Sequence, residues 1–177
     1  MLVKLFEEMR EDVDVESISS HYKIRFDDYL DCLFEGNKLY KETENKITKT
    51  RKNQEKHYHQ RIKHQMFSLL QEIKYYSEVN ITDTRRLISV NSDCISTVHI
   101  LLRDKIYVNV YFRSSDLENA LPVDLEFICS LPFELIQHLE TFQGTKGYEE
   151  VTDELIVDIK YKPIEINMLF GSLHKRN

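Results

Sequence analysis

At 177 residues the chain can bury one substantial hydrophobic core and is too short for two full-sized domains, so a single domain over 1–177 is expected. Hydrophobic residues make up 41%, with only four glycines and three prolines, which excludes the disordered and fibrous classes. A formal charge of -6 and a pI near 5.7 exclude a surface that wraps a nucleic acid polymer, while a single nucleotide stays an allowed ligand. Cys32, Cys94 and Cys129 form no CxxC pair and no histidine cluster has zinc spacing, so neither a disulfide framework nor a metal is expected and the compartment reads as reducing. The opening MLVKLFEEMREDVDVE is too acidic and too short in its apolar run for a signal peptide, and no apolar stretch has membrane-spanning length. A cytoplasmic protein without a membrane partner is expected.

Residues 22–40, with Ile24, Phe26, Tyr29, Leu30, Leu33 and Phe34 among charges, have the spacing of a helix. The segment 36–56 is polar and largely basic, which predicts a solvated helix or a mobile loop, with a phosphate-facing role as the less favoured alternative. Residues 58–78 place Ile62, Met66, Leu69, Leu70 and Ile73 at helical intervals, a stripe of core residues. After NITDT the period changes, and RRLISV, STVHILL and IYVNVYF are β-branched and aromatic runs of strand length. Arg103-Asp104-Lys105 is short enough to make the last two an antiparallel hairpin, whose paired positions sum to roughly 208 and set Cys94 opposite residue 114. Residues 123–142 are expected to form a helix kinked or split at Pro132, and ELIVDIKY and IEINMLF to form closing strands.

Cys94 begins a strand, and the pairing sets it across from Arg113, Ser114 and Ser115. A cation and hydroxyl donors beside a thiol favour the nucleophilic thiolate, although a free cysteine is more often a small buried hydrophobe. In the RSSD at 113–116, the guanidinium, hydroxyls and main-chain N–H groups can cradle a phosphate, or Arg113 can pair with Asp116 in an ordinary loop. Arg85 and Arg86, adjacent on a strand, point to opposite faces, so one can be structural while the other binds an anion. His57, His59 and His64 lie on a polar helix start, where solvation is the expectation, and His99 is expected to be a half-buried strand residue.

Read in order, residues 81–124 (ITDTRRLISVNSDCISTVHILLRDKIYVNVYFRSSDLENALPVD) resemble the central block of the thymidylate synthase and deoxycytidylate hydroxymethylase superfamily. There an arginine pair on a strand precedes a catalytic cysteine, a hairpin leads to RSxD, and a proline stands two positions before the residue that reads the base. Tyr58 and Arg61 in HYHQRI resemble a YGxR-like motif, and FGSLHKRN resembles the later G-x-x-H-x-Y segment, with His174 as its histidine. The resemblance implies an α+β fold, a mixed or antiparallel sheet with helices packed on it, in a homodimer. It implies that Cys94 attacks C6 of a pyrimidine nucleoside monophosphate so that C5 captures a one-carbon unit from 5,10-methylenetetrahydrofolate. Arg113 and Ser114 would hold the 5'-phosphate, and Arg85 and Arg86 would reach the phosphate of the partner subunit's site. Asp116, Asp124, His174 and Tyr58 would contact base and sugar.

The family position matching Asp124 carries asparagine in enzymes for uracil. An ionised carboxylate only accepts hydrogen bonds, which suits the 4-amino group of cytosine and leaves O4 of uracil without a donor. This favours a cytosine over a uracil nucleotide, with dCMP the favoured substrate and dUMP or CMP possible, although Asp124 can equally cap the helix after Pro122. The chain departs from the family where Arg176 replaces the tyrosine after the late histidine, and where the upstream Glu and Trp segment is missing, Glu35 in LFEGN being the nearest candidate. It also ends at Asn177 without the segment that closes over folate, so low or altered activity is expected. A non-catalytic nucleotide-binding or regulatory homologue without folate chemistry is the alternative function.

Overall fold

The first helix, α1 (Leu2–Asp12), buries Leu2, Phe6 and Met9 along one stripe. The computed structural model describes residues 1–14, 16–73, 87–89, 94–145, 148 and 151–175, with backbone alone at 55, 58, 67–73 and 87–89.

A long strand, β1 (Glu16–Phe26), follows, where a helix was expected to begin at residue 22. Ile24 and Phe26 are buried while Lys23 and Arg25 are exposed, so the period in this stretch is two. The helix α2 (Tyr29–Thr43) begins only after Asp28, whose Oδ1 accepts from the N–H groups of Leu30 at 2.8 Å and Asp31 at 2.9 Å. The basic segment 36–56 is largely helical: it completes α2, makes a 3₁₀ turn at Glu44–Lys46 and enters α3 (Lys49–Ile73). Buried Leu39, Thr43 and Ile47 anchor it, so the segment is helical as one expectation had it, but it packs against the core on one side and is neither a wholly solvated helix nor a loop.

The three expected strands are present as β2 (Leu87–Ser89), β3 (Ile95–Leu102) and β4 (Ile106–Phe112). A short β5 (Ser115–Asp116), α4 (Leu121–Phe142), α5 (Asp153–Lys160) and β6 (Ile164–His174) complete the described elements. The helix α4 runs through Pro132 unbroken. The proline removes one internal hydrogen bond, and buried Leu131, Leu135, Ile136 and Leu139 hold the helix in place around it. ELIVDIKY, expected to be a strand, is the helix α5. Thr152 caps it by accepting from the N–H of Leu155 at 3.2 Å, Asp153 and Glu154 occupy its first turn, and buried Ile156 and Ile159 are three residues apart.

The strands form one mixed sheet in the order β1-β6-β4-β3-β2, with β5 beside the end of β6. The pairs β1–β6, β2–β3 and β3–β4 are antiparallel, and β4–β6 and β5–β6 are parallel. Helices, mixed sheet and one contiguous core make the fold α+β. One face of the sheet carries Ile24, Val98, Val110, Phe112, Met168 and Phe170 into that core, where the Phe112 and Phe170 rings stack 4.5 Å apart. The opposite face presents His21, Thr97, His99, Tyr111, Asn167 and Leu169 around an open groove of about 530 Å³. No described helix has the length and apolarity to cross a membrane.

Candidate functional site

The hairpin places Cys94 beside the RSSD segment, one residue away from the expected register. From Leu102–Ile106 to Thr97–Tyr111 the pairs follow the predicted sum, and then the register shifts so that Ile95 faces Phe112. The bulge moves Cys94 from Ser114 to Arg113, whose backbone N–H donates to the Cys94 carbonyl at 2.9 Å. Arg113 is exposed, and Nη2 of Arg51, on α3, lies 3.3 Å from Cys94 Sγ.

Past Arg113 the chain runs alongside the end of β6, where Asp116 is in register with His174 and the N–H of Leu117 donates to the His174 carbonyl at 2.9 Å. The Gly171 of GSLH has a steric reason to be glycine. A Cβ there would sit 2.7 Å from the Arg113 carbonyl and 3.0 Å from the Tyr111 hydroxyl, so β6 can pass this close to the RSSD backbone only without a side chain. Asp116 ties the following turn, its Oδ1 accepting from the N–H groups of Glu118 and Asn119, each at 3.1 Å. Ser114 is half-buried, and Ser115 is fully buried with no hydrogen-bond partner for its Oγ.

The turn leads through Ala120 into α4, where Asp124 lies inside the first turn and not at the cap. Its Oδ1 meets Nε2 of His59 on α3 at 2.9 Å, and both side chains are buried. The His59 ring lies flat on Phe127, 4.1 Å away and inclined by 6°. His59 is thus not the solvated histidine expected of a polar helix start. It shares the inward stripe with Ile62 and Met66, and that spacing was the available signal. Burial, with a smaller contribution from the Lys63 charge, pushes its imidazole down to about 3. A neutral imidazole leaves one proton between Nε2 and Oδ1, so the pair can hold Asp124 as a hydrogen-bond acceptor.

Glu35 is buried under α1, where its Oε2 accepts from the amine of Met1 and from the N–H of Leu2. Burial raises its carboxyl, and these donors outweigh it, so the net shift is downward. His99 stands on the open face of the sheet, its imidazole pushed down by burial. Arg85, Arg86 and the side chain of Tyr58 lie outside the described residues.

Cys94, the RSSD segment, the GSLH segment and the start of α4 thus meet at one end of the sheet. No protein-family model matches the chain, and no curated protein matches it.

Proposed function

We propose that this chain binds a pyrimidine nucleoside 5'-monophosphate and acts on it as a one-carbon transferase of the thymidylate synthase and deoxycytidylate hydroxymethylase kind. The observation that supports this most is that Cys94, the segment after Arg113 and His174 meet at one end of the sheet through short backbone contacts, with Asp124 in the first turn of the helix that follows. In this reading the Cys94 thiolate adds to C6 of the base and the electron pair moves to C5. C5 would then bond to the donor's methylene carbon and lose its proton, the donor amine would leave with the electron pair of the carbon–nitrogen bond, and water would add to that carbon as the thiolate is expelled from C6. Arg113 and Ser114 hold the phosphate, with Arg85 and Arg86 of a second copy. The resemblance assigns Asp116, Tyr58 and His174 to the sugar and base. The one-carbon donor, 5,10-methylenetetrahydrofolate, enters through the resemblance alone.

Asp124 favours a cytosine nucleotide, dCMP or CMP, over dUMP, because an acceptor held by His59 matches the 4-amino group. The homodimer has a suitable surface in the open sheet face, where Tyr111 is 39% and Leu169 is 45% exposed.

A second reading, a binding or regulatory protein without folate chemistry, is favoured by the complete burial of Asp124 and by Arg176 in place of tyrosine. Calorimetry with dCMP, dUMP and CMP tests the ligand class: heat with dCMP is expected, and no heat with any of the three eliminates both readings.

A further inference from the structure

We propose that Arg51 is the cation that activates Cys94, a role that neither the resemblance nor the RSSD segment assigns to it. The three thiols have different surroundings. Cys32 and Cys129 are fully buried between α2 and α4, and burial followed by the Cys129 thiol pushes the Cys32 thiol up, the condition of an inert sulfur. Cys94 is partly exposed and has a guanidinium nitrogen 3.3 Å from its sulfur. Partial exposure beside a fixed cation is the setting in which a thiol ionises near neutral pH.

Arg51 is well placed for this by its helix. Thr48 sits just before α3, and its Oγ1 accepts from the Arg51 N–H at 3.2 Å, which fixes the backbone of the first turn. The neighbouring Lys52 is engaged elsewhere, 5.5 Å over the Tyr40 ring and 3.9 Å from Glu44. The register slip at the start of β3 pairs the Cys94 backbone with Arg113 in place of Ser114. Two roles that the strand pairing and the resemblance together assign to Arg113 are therefore divided. Arg51 stabilises the thiolate, whose proton passes to solvent, and Arg113 stays exposed for the phosphate. As a residue of a transfer reaction, Arg51 rests on the function proposed above. As the source of the thiol's reactivity, it does not.

The test is alkylation of the folded full chain by iodoacetamide, followed by intact mass. The thiolate sulfur displaces iodide and forms a thioether, and Cys94→Ser identifies the site. Arg51→Gln is expected to slow modification roughly three- to tenfold near pH 7, the discount from a buried pair reflecting partial exposure. The difference should close above about pH 10, where the thiol is ionised with or without the cation. Arg51→Lys, which keeps the charge, should retain most of the wild-type rate, and Arg113→Gln should leave it nearly unchanged. Equal rates in wild type and Arg51→Gln, a loss confined to Arg113→Gln, or a wild-type thiol no faster than free cysteine would each overturn the assignment. Calorimetry with dCMP on the same preparations separates the two claims. Slowed alkylation without nucleotide heat removes the transferase reading and leaves the activation of Cys94 in place.

Discussion

Replacing His59 with phenylalanine should flatten the dependence of stability on pH between about pH 7 and pH 5. In the folded protein burial pushes the imidazole down to about 3 from the ordinary 6.5. Below 6.5 the unfolded chain therefore takes up a proton that the folded chain refuses. The stability tied to the neutral ring is complete above 6.5 and is lost as the pH falls toward 3. At pH 5 that loss is about 2 kcal/mol relative to pH 7, from the 1.36 kcal/mol of one pKa unit. Phenylalanine keeps the flat stack on Phe127, 4.1 Å away, and removes the titrating group. His99 and His138, both also pushed down by burial, are present in wild type and variant alike and cancel in the difference. Urea unfolding at pH 7, 6 and 5 gives the two slopes. Removing the partner of Asp124 lowers stability at every pH, so the slope and not the absolute value carries the test. An opposing force is present, since an ionised Asp124 at 2.9 Å favours imidazolium. Equal slopes, or a wild type that gains stability on acidification relative to the variant, would show that the carboxylate outweighs burial and would refute the neutral assignment.

Gly36→Ala should destabilise the fold by about 1 to 2 kcal/mol in chemical denaturation despite the better helix propensity of alanine, because overpacking outweighs the gain. The added Cβ would lie 2.6 Å from the Cβ of Cys129, an atom fixed to the backbone of α4, so Cys129→Ala should not relieve the clash. Asp124→Asn should shift nucleotide preference from dCMP toward dUMP by roughly tenfold or more in calorimetry, since an amide supplies the donor that O4 needs. An unchanged preference would remove Asp124 from base recognition.

The parts of the fold legible in the sequence were those fixed by local chemistry. The β3–β4 hairpin follows from a three-residue turn between two β-branched runs, and α4 from an apolar helical stripe behind a proline at its start. Residues 22–26 were misplaced because Ile24 and Phe26 fit a helix and a strand equally over so short a span, and pairing with β6 decided between them. In 154–161 the apolar residues suit a strand, but the Thr152 cap and the burial of Ile156 and Ile159 favour a helix. The site was partly legible. The proximity of residues 94 and 113 follows from the hairpin, whereas the bulge that selects Arg113 over Ser114 leaves no mark in the spacing. Arg51 reaches Cys94 from 43 residues away through packing between elements, in a segment whose composition is that of a solvated face.

The most direct measurement is tritium release from C5-labelled dCMP, with and without the folate donor. The transferase account predicts release by the wild-type chain and none by Cys94→Ala, with calorimetry showing that the variant still binds dCMP. Equal release by the two proteins, or binding without any release from the wild type, would contradict nucleophilic attack by Cys94.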